Sequence, residues 1–197
     1  MGTMKMSAEN KTTLSWEKLQ DSDESVSRAA LTALWKSNSA GMYNLSVYLL
    51  GDEAEAEDAV QEAFRRLIHS LRRIRPRGSA RTYLMRITYN VCMDFVRKKR
   101  PGALPGSGET LMKPVPDAAL LEGADAQVTH EDRRRWLRQA VMGLPDVDRA
   151  VVVLRYILGF DNGEASEILR MPRARFAVRL HRALKLLQEK LGPQEGE

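Results

Sequence analysis

Apolar residues recur along this chain at the three- and four-residue spacing of helices, and β-branched residues are not gathered into alternating runs. The spacing predicts a short helix from Val26 to about Trp35. It predicts a second over Ala40 to Leu50, carrying Tyr43, Leu45, Val47, Tyr48 and Leu49, with Gly51-Asp52 as a stop and a new start. Val60, Phe64, Leu67, Ile68 and Leu71 fall at i, i+4, i+7, i+8 and i+11, the apolar stripe of a third helix. Acids crowd its first turns (Asp52, Glu53, Glu55, Glu57, Asp58, Glu62), where the helix dipole is positive, and the sign reverses after Arg65. A fourth helix sets Leu84, Ile87, Val91 and Phe95 on one side and ends in Arg97-Lys98-Lys99-Arg100 before Pro101-Gly102.

The pattern breaks over residues 101–127, where four prolines and four glycines interrupt any sustained period. A run of that length reads as a linker rather than a loop inside one domain. It separates a unit at 26–100 from one at 128–192. The second unit reads as four short helices: about Glu131 to Met142; Asp146 to Leu158, with Asp146 as N-cap and Gly159 as stop; about Asp161 to Leu169; and a last one from Pro172 to Leu191. Only Arg170-Met171 joins the last two, the spacing of a helix-turn-helix. Residues 1–25 are polar and weakly periodic and are expected to be disordered. The fold class is therefore all-α: two small helical domains joined by a flexible linker, the C-terminal one with a helix-turn-helix.

Composition narrows the choice of function. The 197 residues carry a formal net charge of +5, 43% hydrophobic residues and a single cysteine, Cys92. One cysteine makes no disulfide framework, no apolar stretch reaches the roughly 20 residues of a membrane span, and the N-terminus lacks a signal-peptide core. A soluble cytoplasmic protein without membrane insertion is the expectation. His69, His130 and His181 are scattered, with no metal-ligand spacing and no Gly-rich phosphate loop, so no catalytic site, metal or cofactor is expected.

Charge placement is more informative than its sum. From Arg65 to Arg100 the charged residues are all basic save Asp94, and so one-signed a cluster calls for an anionic partner, most commonly phosphate backbone. At about 100° per residue, Arg86, Asn90, Met93 and Arg97 project opposite the apolar face of the fourth helix, with Tyr89 at the edge. Arg and Asn can pair with base edges, and an aromatic can stack on an unpaired base. On the last helix Phe176, Leu180, Ala183 and Leu187 make the buried side, while Arg175, Arg179 and Arg182 at i, i+4 and i+7 make the exposed side. As the second helix of a helix-turn-helix it is placed to enter a major groove.

Together these residues resemble a bacterial extracytoplasmic-function (ECF) sigma factor, the promoter-recognition subunit of RNA polymerase. Gly51-Asp52 followed by Ala56-Glu57-Asp58-Ala59-Val60-Gln61-Glu62-Ala63-Phe64 is similar to the family's acidic helix on the polymerase β′ clamp helices. The resemblance implies core-polymerase binding by Glu57, Asp58, Gln61 and Glu62. Tyr83 to Asn90, with Asp94 and Arg97, resembles the −10-reading helix, implying DNA contacts by Arg81, Tyr83, Arg86, Tyr89, Asn90, Arg97 and Lys98. The loop Arg72–Thr82 would line a pocket for a flipped base. Leu144-Pro145, Arg149, Gly159, Glu164, Ile168-Leu169 and Arg179 to Ala183 resemble the −35-binding domain, implying contacts by Arg173, Arg175, Val178, Arg179 and Arg182. The β flap and an anti-sigma factor are further implied partners. Arg170 stands where the family has its turn glycine, and Ala177-Val178 replace two polar residues, so the −35 sequence is the part least fixed by the resemblance.

Other classes fit parts of this pattern. An autonomous helix-turn-helix regulator would bind duplex DNA without polymerase, usually as a symmetric dimer. A helical adaptor would bind acidic protein without steep salt dependence.

Overall fold

A computed structural model describes residues 15–73, 78–99 and 130–191. The expected linker at 101–127 lies outside the described residues, as do residues 1–14 and the centre of the Arg72–Thr82 loop. Among the described residues there is no strand, and the architecture is all-α.

Helix α1, Trp16–Leu19, occupies a stretch expected to be disordered. Ser15 caps it by accepting from the Glu17 amide, Leu19 is fully buried, and the Trp16 indole Nε1 donates to the Gly78 carbonyl at 2.9 Å. Gln20 Nε2 adds a bond to the Leu71 carbonyl at 2.7 Å. One aromatic and one glutamine tied to distant backbone, with one buried leucine between them, are enough to order a segment whose local composition is polar.

Helix α2 runs unbroken over Glu24–Leu50, where two helices were expected. The polar residues that suggested a break fold back into it: Ser37 Oγ donates to Ala33 O at 2.9 Å and buried Asn38 Nδ2 to Leu34 O at 2.8 Å. Such back-bonding satisfies the side chains without opening the ladder. Gly51 ends α2 in the left-handed region at φ 74°, and Asp52 starts α3, Glu53–Ser70, by accepting from the Glu55 amide. The buried face of α3 is Ala56, Ala59, Val60, Ala63 and Leu67. Phe64 stands edge-on to Trp35 with centroids 4.9 Å apart, but Ile68 is 47% exposed rather than part of the core stripe. Small alanines let α3 lie close to α2, which turns its face away from Ile68.

Helix α4, Ala80–Lys99, buries Leu84, Met85, Thr88, Val91, Cys92 and Val96. Ile87 and Phe95 are only partly covered, because the core side runs along Thr88 and Cys92. The Thr88 hydroxyl donates to Leu84 O at 3.0 Å and the Cys92 thiol lies 3.4 Å from Ser46 Oγ.

The second unit holds α5 (His130–Met142), α6 (Asp146–Val152), α7 (Asn162–Ile168) and α8 (Arg173–Leu191). Pro145 is the N-cap of α6, not Asp146, which sits in the first turn facing Arg149. Past Val152 the helix widens into a π turn over Val153–Ile157 and stops at Gly159, φ 71°. Asp161 caps α7 in a reciprocal box with Glu164. Pro172 lies just ahead of α8, its carbonyl accepting from the Phe176 amide at 3.0 Å. In the turn between α7 and α8, the Met171 amide bonds to Ser166 O and Arg170 adopts φ 51°.

The two units pack on each other. Helix α4 lies against α7, and α2 against α5 and α6, so one apolar core runs through both. Arg149, fully buried, joins them: Nη1 donates to Tyr48 O (3.0 Å) and Leu49 O (3.3 Å), and Nη2 to Leu144 O (2.8 Å). The last carbonyls of any helix lack intrahelical donors, and α2 has no basic residue in its last turn. Arg149 supplies the missing charge from a hundred residues away.

Candidate nucleic-acid interface

Helix α4 owes its exposed face to the arginines and aromatics that its apolar side leaves outward. Tyr83 meets Trp16 edge-on at 5.4 Å, and the Arg86 guanidinium lies over the Tyr83 ring at 4.7 Å. Lys98 covers Phe95 at 5.7 Å. Asn90 makes no side-chain hydrogen bond among the described residues, so its amide remains available to a base edge. Arg97 is paired with Asp94, which also accepts from Arg66 Nη1 of α3 at 2.9 Å.

That pair continues into α3. Glu62 accepts from both Arg66 and Arg65, and these hydrogen bonds, Arg66's foremost, hold its carboxyl below the usual carboxylate range. Glu62 is thus spent within the protein, whereas Glu57, Asp58 and Gln61 are exposed. Ile68 lies seven residues beyond Gln61 and adds an apolar spot to that exposed row.

Two residues expected on the DNA face of α4 are engaged by the second unit, Arg81 while still exposed and Tyr89 half-buried. Arg81 Nη2 donates to Leu158 O at 2.9 Å and its guanidinium lies 4.1 Å over the Phe160 ring; burial pulls its pKa down. Tyr89 lies near Asp146 and Arg179, and burial, aided by the Asp146 charge, pushes its hydroxyl up to about 12. Glu167 of α7 reaches the Gly78 loop, where its carboxylate would stand 2.9 Å from an added Cβ.

On α8 the buried side is Phe176, Ala183 and Leu187, with Leu180 partly covered. Arg175 is exposed and Val178 is 70% exposed. Arg173 folds over Gly163, its guanidinium 2.7 Å from where a Cβ would stand. Arg179 does not share the outward face with Arg175: its Nη1 bonds to Oδ1 of buried Asp148 at 2.9 Å. Helical spacing alone groups Arg175, Arg179 and Arg182, and only the carboxylate on α6 separates them. Asp148 is the residue that sequence reasoning missed, and Arg149, noted only as part of the resemblance, was given no structural role; their adjacency in a polar stretch just before an apolar run was the available signal.

A helical chain whose two units each present a basic helix, the second in a helix-turn-helix, defines a nucleic-acid-binding protein of asymmetric, two-part design. Residues 34–101 match the Sigma-70 region 2 family and residues 134–187 the Sigma-70 region 4 family. The chain is similar to the ECF RNA polymerase sigma factor SigW of Bacillus subtilis, 33% identical over 157 residues, spanning 76% of this chain and 82% of that protein. It is similar also to SigX of the same organism, 29% identical over 151 residues, spanning 75% and 76%. Among solved structures it is similar to CnrH in complex with the cytosolic domain of CnrY, with TM-score 0.61, 22% identity and coverage of 83% and 88%. RpoE in complex with the anti-sigma factor NepR from Bartonella quintana gives TM-score 0.57 and 19% identity, with coverage of 83% and 95%. The chain belongs to the ECF RNA polymerase sigma factor family. It is a polymerase-binding, promoter-recognising initiation factor rather than a free-standing regulator. No helix among the described residues is long and apolar enough to cross a membrane.

Proposed function

We propose that this chain acts in the cytoplasm by carrying core RNA polymerase to promoters and opening them, dividing the work among three surfaces. The exposed row Glu57, Asp58 and Gln61 of α3, ending at Ile68, docks on the polymerase β′ clamp helices. Arg86, Asn90, Arg97 and Lys98 of α4, with Tyr83 and Tyr89, hold the melted −10 strand by phosphate contact, base-edge pairing and stacking. Arg173, Arg175, Val178 and Arg182 of α8 meet the −35 duplex, with Val178 placed for a thymine methyl. The β flap receives the second unit. Phosphodiester synthesis belongs to the polymerase, and this chain contributes binding and strand opening without catalytic groups of its own.

The observation that carries this reading is the order of surfaces along one chain: an acidic exposed row on α3, then a basic helix, then a second basic helix in a helix-turn-helix. Because Tyr89 is half-buried beside the second unit and Arg81 is bonded to Leu158 O and stacked on Phe160, the two units part before both promoter elements are engaged. An anti-sigma factor that holds them together would keep the chain inactive. Run-off transcription with core polymerase on a library of genomic promoter fragments tests the reading. Added chain is expected to yield transcripts from discrete start sites. Asp58→Lys is expected to weaken association with core enzyme, and Asn90→Ala to change −10 base preference with association intact. A chain that binds duplex DNA equally well without polymerase and never directs a transcript refutes it.

A further inference from the structure

Asp148 is the one acidic side chain among the described residues that is fully buried at the base of the recognition helix. An ionised carboxylate removed from water is costly unless paired, and its two oxygens are treated differently. Oδ1 takes the Arg179 Nη1 hydrogen bond at 2.9 Å. Oδ2 has no hydrogen-bond partner, although Arg182 Nε stands 3.7 Å away, within ion-pair reach but beyond a hydrogen bond. The Arg179 side chain is 20% exposed and that of Arg182 is 62% exposed.

We propose that Asp148 is a positioning residue for duplex recognition: it withdraws Arg179 from the DNA and aims Arg182 at it. The proposal rests on α8 being the duplex-reading helix. Without the carboxylate, Arg175, Arg179 and Arg182 would form a continuous cationic stripe, and such a stripe binds any phosphate backbone with little regard to sequence. With it, one arginine is taken out of the count. A second is tethered by charge while its head remains free to swing to a guanine or phosphate. A tethered donor loses less freedom on binding than a free one, which favours contacts in one register. Asp148 thus trades indiscriminate attraction for discrimination, although it never touches DNA.

The test uses the full chain, a 20-base-pair duplex of arbitrary sequence, and anisotropy titrations over a salt series. Asp148→Asn keeps the shape and removes the charge. Each added phosphate contact steepens the slope of log K against log salt by about 0.9. The variant is therefore expected to show a slope steeper by about 0.9, from the released Arg179, and to enrich a less defined sequence from a randomised duplex pool. Should Asp148→Asn not fold, the double variant Asp148→Asn with Arg179→Met removes both charges together. It is expected to keep the wild-type slope, since Arg182 reaches the DNA in both proteins, while enriching a less defined sequence because Arg182 has lost its tether. A merely structural carboxylate would alter melting temperature and leave the slope unmoved. A wild-type slope for Asp148→Asn, or a wild-type sequence preference for the double variant, overturns the proposal. Absence of any salt-dependent duplex binding by the wild-type chain overturns instead the assignment of α8, and the proposal with it.

Discussion

Replacing Arg149 by methionine gives the sharpest test of how the two units are held. Methionine approximates the buried volume but donates nothing, and the partners it abandons are main-chain carbonyls that no companion mutation removes. Three bonds go: those to Tyr48 O and Leu49 O at the end of α2, and that to Leu144 O within the second unit. The ion pair with Asp146 at 3.3 Å goes with them. Removing one member of a buried charged network costs about 3–5 kcal/mol. For a chain of this length, 1 kcal/mol corresponds to a shift of about 2–4 °C, so the melting temperature is expected to fall by about 6–20 °C. Circular dichroism at 222 nm during heating measures it. Part of the loss is recovered if the α2 carbonyls reach water as the units separate, so small-angle scattering should report a larger radius of gyration for the variant. A variant melting within about 2 °C of the parent, at unchanged radius, would refute the bridging role.

Arg170→Gly relieves a left-handed backbone that costs a non-glycine residue about 1–2 kcal/mol; after glycine's larger unfolded-state entropy, a gain of up to about 1 kcal/mol and a rise of about 2–4 °C are expected. A fall in melting temperature would mean that the arginine side chain contributes more than its backbone costs. Trp16→Phe keeps the ring against Tyr83 but loses the bond to Gly78 O, and is expected to destabilise by about 1 kcal/mol in denaturant titration. Burial raises the Cys92 thiol from 9.0 to about 12, so the unfolded chain releases its proton first as pH rises. Stability is then fully present below pH 9 and declines between pH 9 and about 12, and Cys92→Ala should flatten that decline in pH-dependent melting. The same burial leaves native Cys92 unreactive to thiol reagents at pH 8, with labelling appearing only on unfolding.

Much of the architecture is legible in the residues themselves because helix starts and stops are local. Asp52 and Asp161 cap where their spacing from the apolar runs says they should, and Gly51 and Gly159 stop helices through a conformation open to glycine. Continuity of α2 is not legible, since Ser37 and Asn38 look like breakers until their side chains are seen bonding one turn back. Nor is the order around Trp16, which depends on a carbonyl 62 residues away. The candidate site divides the same way. Exposure of Asp58, Gln61, Arg175 and Val178 follows from helical angle. The inward turn of Arg179 and the engagement of Arg81 and Tyr89 by the second unit depend on partners that sequence spacing does not bring together.

The chain of charges Glu62–Arg66–Asp94–Arg97 stitches α3 to α4. Glu62, next to the proposed polymerase-docking row, and Arg97, proposed to hold the −10 strand, therefore share one electrostatic lattice, and their mutational effects will fail to add. A loss measured at Arg97 will contain whatever Arg66 does when Asp94 is left with one cation. Docking and promoter phenotypes along this lattice are separable only by double-mutant cycles.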